Sequence, residues 1–357
     1  MSLVRPLRCT VPAGVVVLAI FAAAAAGCGN FQDVSSVVDL RVLAISADPP
    51  EILVDPAMLG AAPFQTKLTA LIADPAGGDR AINVDALACP RQIDAVTAAT
   101  GKNGVVCKPF DPQSADPDAS VAVTPLPPDS PAASRTSFGD AELDIPYTFP
   151  SDLLVRGYKL DPFAQLGFQM PITFQLTVSA GAEREIAIKR VIFTVPPPDH
   201  ADQPANANPR ITALSGYFTR DGQANAVDPL PFDLGNPAPL PVGSSLWLEP
   251  QGADTEAETY FTRVLTRDAN PQVVVSEVKE TLRYSFFATA GIFSPPSTNN
   301  VPPVLRSQPQ RIHLESNYRT PAVMPPDPQV TFWIVVRDER GGSSWIKGRF
   351  LLVPPRP

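Results

Sequence analysis

Apolar and polar residues alternate along many short segments of this chain, and the alternation predicts β-strands. The clearest case is 141–149, where Leu, Ile, Tyr and Phe occupy every second position from 143 to 149. Such a period of two puts one apolar row on a single face of a sheet. Pro146 predicts an edge strand there, because proline has no N–H to give to a ladder. Further strands are predicted at 41–46, 66–73, 172–178, 185–195, 210–215, 245–248, 259–265, 273–288, 330–336 and 345–353.

Proline is the dominant feature of the composition, with 43 residues of 357. Proline interrupts helices and is excluded from central strands, so this number favours short strands joined by turns. The segment 111–135 is rich in Pro, Ala, Ser and Asp, and predicts a long mobile loop. A second proline-rich segment, 197–208, predicts an extended, semi-rigid linker.

The two halves of the chain resemble each other. Residues 171–195 align with 329–353 without a gap, and 41–46 resembles 210–215. Matching beginnings and matching ends predict two copies of one unit, at 40–196 and 209–355. Chance similarity between two strand hairpins is the alternative. The identical pairs are Thr173 and Thr331, Phe174 and Phe332, Val178 and Val336, and Lys189 and Lys347.

The N-terminus has the features of an export signal. Arg5 and Arg8 precede an apolar run, and small residues then lead to Cys28. The ending Ala-Ala-Gly-Cys resembles the lipobox of bacterial lipoproteins, with Ala25 where Leu is commoner. The resemblance implies removal of a signal peptide at 1–27, lipidation of Cys28 and a lipidated tether over 28–39. The alternatives are an ordinary secretory signal, which leaves Cys28 free, and an uncleaved helical anchor.

Two further cysteines, Cys89 and Cys107, remain after the signal peptide is removed and Cys28 is lipidated. An exported chain enters an oxidising compartment, so we expect these two residues to form a disulfide. The alternative is a thiolate metal site. It lacks additional ligands, because the only histidines are His200 and His313, which are far apart in the sequence.

The charge of the chain argues against two classes of partner. The formal net charge is −8, and without the signal peptide 26 basic residues face 36 acidic ones. This balance argues against binding to nucleic acid and against electrostatic binding to anionic lipid headgroups.

The proline-rich strand pattern and its duplication resemble tandem immunoglobulin-like or fibronectin-III-like β-sandwiches of bacterial surface proteins. The resemblance implies an all-β chain with two tandem Ig-like sandwiches. The Cys-Trp-Cys signature of antibody domains is absent. Trp333 and Trp345 lie in the closing hairpin, where we interpret them as core or sheet-face residues.

Motifs for catalysis are missing from the sequence. It contains no Gly-x-Ser-x-Gly, His-Glu-x-x-His, Walker A or GxGxxG pattern. We therefore assign no catalytic, cofactor-binding or metal-ligating residues and expect a non-enzyme without a cofactor. His200 and His313 are expected to be solvated, and the segment 338–340 to be a charged turn after a strand. A carboxylate pair for glycoside hydrolysis stays open, because acidic residues are scattered along the chain.

These features predict a membrane-anchored lipoprotein of the cell envelope that binds a protein or a polysaccharide through its loops or sheet edges. Its membrane contact would be the lipid on Cys28. Gly29 resembles the outer-membrane default of enteric lipoproteins. One alternative is a structural accessory subunit of a secretion or motility complex, and another is a hydrolase with an unrecognised carboxylate site. The sequence leaves open the ligand, the membrane and its face.

Overall fold

The computed structural model confirms the all-β prediction, since strands form most of the regular structure. It describes residues 33–61, 63–75, 77, 80–90, 107–108, 116–123, 134–135, 140–217, 230–231, 234, 236–267, 270–301 and 314–355. The chain divides into a unit 1–34, of which only the last two residues are described, and a compact unit 35–357. Two of the core clusters in the larger unit lie in different stretches of the chain, and we call these stretches the first module, 40–195, and the second module, 211–353.

The first module is a sandwich of two sheets, with strand orders β1-β3-β7-β6 and β2-β9-β8-β4-β5. Two helices connect β7 to β8. The elements are β1 (Arg41–Asp48), β2 (Glu51–Leu53), a 3₁₀ turn (Pro56–Met58), β3 (Phe64–Ala73), β4 (Asn83–Cys89), β5 (Val121–Ala122), β6 (Ser134–Arg135), β7 (Asp140–Phe149), α1 (Ser151–Leu160), α2 (Pro162–Gln165), β8 (Met170–Ala180) and β9 (Glu183–Thr194).

The second module also has two sheets, with orders β11-β10-β13-β19-β17 and β12-β21-β20-β16-β18, and a separate β14–β15 hairpin. Its elements are β10 (Ala213–Tyr217), β11 (Leu230–Pro231), β12 (Ala238–Pro241), β13 (Ser245–Gln251), α3 (Ala253–Glu256), β14 (Thr259–Leu265), β15 (Val273–Lys279), β16 (Arg283–Ala288), β17 (Ile292–Ser294), β18 (Ser297–Asn299), β19 (Ser316–Arg319), β20 (Gln329–Arg337) and β21 (Ser343–Val353).

The aligned closing hairpins occupy corresponding places in the two modules. β8 pairs with β9, and β20 pairs with β21, each in antiparallel register. Phe174 and Phe332 are both fully buried, and so are Val178 and Val336. The apolar alternation recognised in the sequence therefore fills the core of each module in the same way.

One predicted strand is two strands in the structure. Segment 273–288 divides into β15 and β16, because the chain changes its pairing partner between them. Among the described strands, β15 pairs only with β14, whereas β16 pairs with β20 and β18. At the break, the Glu280 N–H donates to Glu258 O, and the Leu282 N–H donates to Asn300 Oδ1.

Both segments predicted to be connectors are partly built into the fold. Within the predicted tether 28–39, Ser35 and Val37 are buried and hydrogen-bond to Ala288 of β16. Within the predicted linker 197–208, a 3₁₀ turn forms at Pro198–His200, and Asn206 is buried. Most of the predicted loop 111–135 lies outside the described residues. The part of this segment that is described includes β5.

Candidate binding cleft

A cleft of about 730 Å³ opens where the two modules meet. One wall is β1 at 42–45, a second is β9 at 185–190, and the third is the turn 338–342 between β20 and β21. β1 and β9 are strands of opposite sheets of the first sandwich, whereas the turn belongs to the second module. The cleft is therefore lined by residues of both modules.

The open edge of β1 is closed by side chains from outside the first module. β1 is the outer strand of its sheet, and alternate carbonyls from Leu43 to Ala47 would otherwise lack partners. Each of these carbonyl groups accepts a hydrogen bond from a side chain. The donors are Arg337 Nη2 to Leu43 O, Ser343 Oγ to Ile45 O at 2.7 Å, and Asn208 Nδ2 to Ala47 O at 2.7 Å.

Asp338 organises the turn that forms the third wall. Its carboxylate accepts the backbone N–H groups of Arg340 at 2.8 Å and Gly342 at 2.7 Å, and Asn206 Nδ2 at 3.1 Å. Burial nevertheless raises the pKa of this carboxyl. Gly341 has a φ of 91°, and an added Cβ would lie 3.1 Å from Arg190 O. Glycine is thus required where the turn approaches β9.

Lys189 joins β9 to the same turn. Its residue is 7 % exposed, and its ammonium donates to Gly341 O and to Ser343 Oγ, the latter at 3.2 Å. Burial lowers the pKa of Lys189 to about 7, because the charged form is poorly solvated there. The lysine thus lines the cleft as a group that changes charge near neutral pH.

Arg340 is the centre of a buried ion cluster behind the turn. Its guanidinium bonds Glu51 of β2, Glu258 at 3.1 Å and Glu280 at 3.3 Å. It also lies 4.3 Å from the ring centroid of Tyr260, a cation–π distance. Desolvation, together with repulsion from Asp338, raises the pKa of Glu280 to about 7. The cluster links the first module to the second through three almost fully buried charged side chains, Arg340, Glu51 and Glu280, and the partly exposed Glu258.

A second set of contacts lies on the far side of the junction. Trp333 is 1 % exposed and donates from Nε1 to Asp140 Oδ2 at 2.9 Å. Lys347 Nζ contacts Asp140 and also Glu142 of β7, the latter at 2.9 Å. A small apolar cluster surrounds Trp333, and Trp345 packs against it. Both tryptophans serve packing between modules, in agreement with the sheet-face interpretation.

The structure joins Cys89 and Cys107 in a disulfide, as the sequence predicts, with Cα atoms 5.6 Å apart. The bridge fastens a segment outside β8, where the Cys107 N–H donates to Gln175 Oε1 at 3.0 Å. Cys28, the predicted lipidation site, lies outside the described residues. Neither cysteine is among the residues that line the cleft.

The two histidines have different outcomes. His200 was expected to be solvated, but its ring stacks on Phe261 at 3.5 Å with an interplanar angle of 5°. The residue is half-buried, because the connection is packed against the β14–β15 hairpin. His313 lies outside the described residues. Among described residues, no group of three His, Cys, Asp or Glu side chains is arranged to hold a metal ion.

Sequence reasoning missed the ion cluster. The charged turn after a strand that it predicted at 338–340 is present after β20, but nothing local indicated that Arg340 is almost fully buried and bonds glutamates from three other segments. The signal available in the sequence was the Gly341-Gly342 pair, which indicates a turn pressed against other backbone. No helix in the described ranges is long and apolar enough to cross a membrane.

No family model and no curated protein matches this chain. The solved structures that are similar to this chain at low identity include three proteins. The Yersinia pseudotuberculosis adhesin InvE is 10% identical, with 86% of this chain and 58% of that chain covered and a TM-score of 0.17. Tp47, the 47-kilodalton lipoprotein of Treponema pallidum, is 12% identical, with coverages of 88% and 51% and a TM-score of 0.20. The three N-terminal domains of the bacteriophage RB49 Highly Immunogenic Outer Capsid protein are 9% identical, with coverages of 89% and 71% and a TM-score of 0.17. The chain thus spans little more than half the length of the first two, and TM-scores of 0.20 and below do not establish a shared fold.

Proposed function

We propose that this chain is a lipid-anchored, non-catalytic binding protein of the bacterial cell envelope, and that its cleft holds a partner protein or polysaccharide. The lipobox-like ending at Cys28 supports the anchor, and Gly29 after it supports the outer membrane. The cleft supports the binding role, because its walls come from both modules and are fixed by buried hydrogen bonds.

One observation carries the non-catalytic part of the proposal. The buried ionisable groups at the cleft already hold the modules together. Lys189 binds the turn, Arg337 binds Leu43 O, and Asp338 binds three N–H donors. A general acid, base or nucleophile must instead reach a substrate with a free lone pair or proton. Groups whose hydrogen bonds are already made in this way stabilise the packing of the two modules.

The chemistry of the cleft fits a macromolecular ligand. Glu185, Arg190 and Glu339 bring charges of both signs to its walls, and Ile188 exposes 42 % of its surface beside them. Mixed charge next to an exposed aliphatic side chain suits either a protein surface or a sugar chain.

Site-specific photocrosslinking in the native cell tests the proposal. A benzophenone amino acid at Ile188 would probe the cleft, and the same residue at Val323, which is 78 % exposed outside the cleft, is the matched control. The proposal expects a discrete adduct from position 188 that position 323 does not give. Identical adducts from both positions, or none from position 188, would remove the cleft as the binding site.

A further inference from the structure

The β14–β15 hairpin ends in an open strand edge. β15 pairs with β14 over all seven of its residues, and no strand in the described part of the chain lies along its other side. The hydrogen bonds from Thr266 N to Gln272 O and from Glu280 N to Glu258 O show that even-numbered residues of β15 face β14. The N–H and C=O groups of the odd-numbered residues therefore point outward.

The hairpin is fixed to the rest of the molecule through β14. The Phe261 N–H donates to Gln203 Oε1 at 3.0 Å, and the Phe261 ring stacks on His200. Arg263 Nη1 donates to Gly167 O at 2.8 Å and to Val195 O at 2.7 Å. Because β14 is held in this way, β15 is displayed as an ordered edge.

The outer edge of β15 is apolar, whereas edge strands in natural proteins usually carry features that prevent pairing with another chain. Val273, Val274 and Val275 are 41 %, 36 % and 44 % exposed, and Leu265 beside them is 43 % exposed. Edge strands normally carry inward charges, bulges or proline that prevent pairing with another chain. β15 has none of these over its first three residues, so its sequence and its geometry both favour an added strand.

We propose that a second copy of this chain pairs with β15 in antiparallel register, with Ser276 of one copy opposite Ser276 of the other. The two-fold axis of this dimer places Val275 opposite Glu277 and Val274 opposite Val278. The backbone groups of residues 275 and 277 face outward, so they form the hydrogen bonds between the two copies. β15 carries one acidic and one basic residue, so it is neutral in a chain of net charge −8. No like charges face each other across this pairing.

The neighbouring registers are disfavoured for physical reasons. A two-fold axis through Glu277 would place two carboxylates directly opposite each other, and like charges in that position destabilise an antiparallel pair. A two-fold at Val275 would bring Pro271 opposite Lys279, and proline has no N–H for the ladder. The register centred on Ser276 avoids both and pairs all of Val273–Lys279.

A cysteine crosslink in the full chain, oxidised in the native envelope, tests the pairing. Ser276→Cys should give a disulfide-linked dimer, because the two β-carbons would be about 4.5–5.5 Å apart. Val273→Cys is the matched control. In this register the two copies of residue 273 lie six residues apart along the strand, roughly 20 Å, so they should not link. The parent chain, with Cys89 and Cys107 already paired, corrects for background.

A second pair of variants separates pairing from unfolding. In the Ser276→Cys chain, Val275→Pro removes an outward N–H and should abolish the crosslink, while Val275→Thr keeps the N–H and should retain it. Neither change touches a hydrogen bond to β14, so both should melt like the parent chain. Equal dimer from positions 273 and 276, no dimer from 276, or a crosslink from 276 to a different protein would each overturn the proposal. The inference does not depend on the lipid anchor.

Discussion

Arg340 of the second module and Glu51 of the first form an ion pair in which each side chain is only 1 % exposed. Burying two charges is costly, so the pair persists because Glu258, Glu280 and Thr194 supply additional polar contacts. Breaking such a pair from one side leaves an unbalanced buried charge. The junction between the modules should therefore be sensitive to substitution.

Removal of the guanidinium should be strongly destabilising. We expect Arg340→Ala to lower the free energy of unfolding by about 3–5 kcal/mol, since Glu51 and Glu280 would lose their counter-ion in the interior. Urea unfolding of the full mature chain measures the change. Arg210→Ala is the control, because the Arg210 side chain is 77 % exposed in its pair with Glu256, and should cost at most about 1 kcal/mol. Equal losses in the two variants would contradict the buried-pair interpretation.

Lys189 should make stability rise with pH above neutrality. Its pKa is about 7 in the folded protein and near 10.5 when unfolded, so the folded state holds fewer protons between these values. Its contribution is therefore least favourable below pH 7 and improves as the pH rises toward 10.5. Comparing unfolding free energies at pH 7 and pH 9 measures this. Lys189→Met should reduce the rise, and an unchanged rise would place the titration elsewhere.

Glu280 should make the stability fall as the pH rises from about 4.5 to about 7. Burial raises its pKa to about 7 from 4.5, so the folded state holds an additional proton between these values. Stability contributed by this group is greatest below pH 4.5 and falls as the pH rises through 7. Glu280→Gln mimics the protonated form and should flatten this part of the pH profile. Should the variant keep the parental slope between pH 5 and 7, the assignment to Glu280 fails.

The disulfide should stabilise the first module. The two cysteines are 18 residues apart, and a closed loop of similar length contributes about 3 kcal/mol in the chain-entropy model. The Cys89→Ala, Cys107→Ala double variant should unfold at a correspondingly lower urea concentration. Alkylation of denatured, unreduced protein provides the chemical check. Modification of both cysteines in the parent chain would disprove the bridge.

Cys28 should carry the lipid. The small-residue ending before it motivates this prediction, and two or more acyl chains give stable membrane attachment. Cys28→Ser should leave unprocessed precursor and abolish labelling by a fatty-acid probe in cells. Normal labelling of this variant would mean that the lipid, if any, is attached elsewhere.

The strands were predictable because their signal is local, whereas the junction was not. A period of two along nine residues places β7 and the closing hairpins with little ambiguity. The partners of Arg340 lie 60, 82 and 289 residues away in the sequence, and no local pattern encodes such a contact. The duplication held a partial clue. The aligned lysines Lys189 and Lys347 both form hydrogen bonds across the junction. Their shared position in the repeat was visible in the sequence, but their partners in the other module were not.

The most direct test of the central claim, binding without catalysis, is one incubation of a soluble chain of residues 29–357, without signal peptide or lipid, with labelled peptidoglycan and envelope polysaccharide. Released label reports turnover, and label retained on the protein reports binding. The account predicts no release above the blank, whether or not label is retained. Release that a single Asp or Glu substitution abolishes, with an unchanged melting curve, would contradict it and identify a hydrolase.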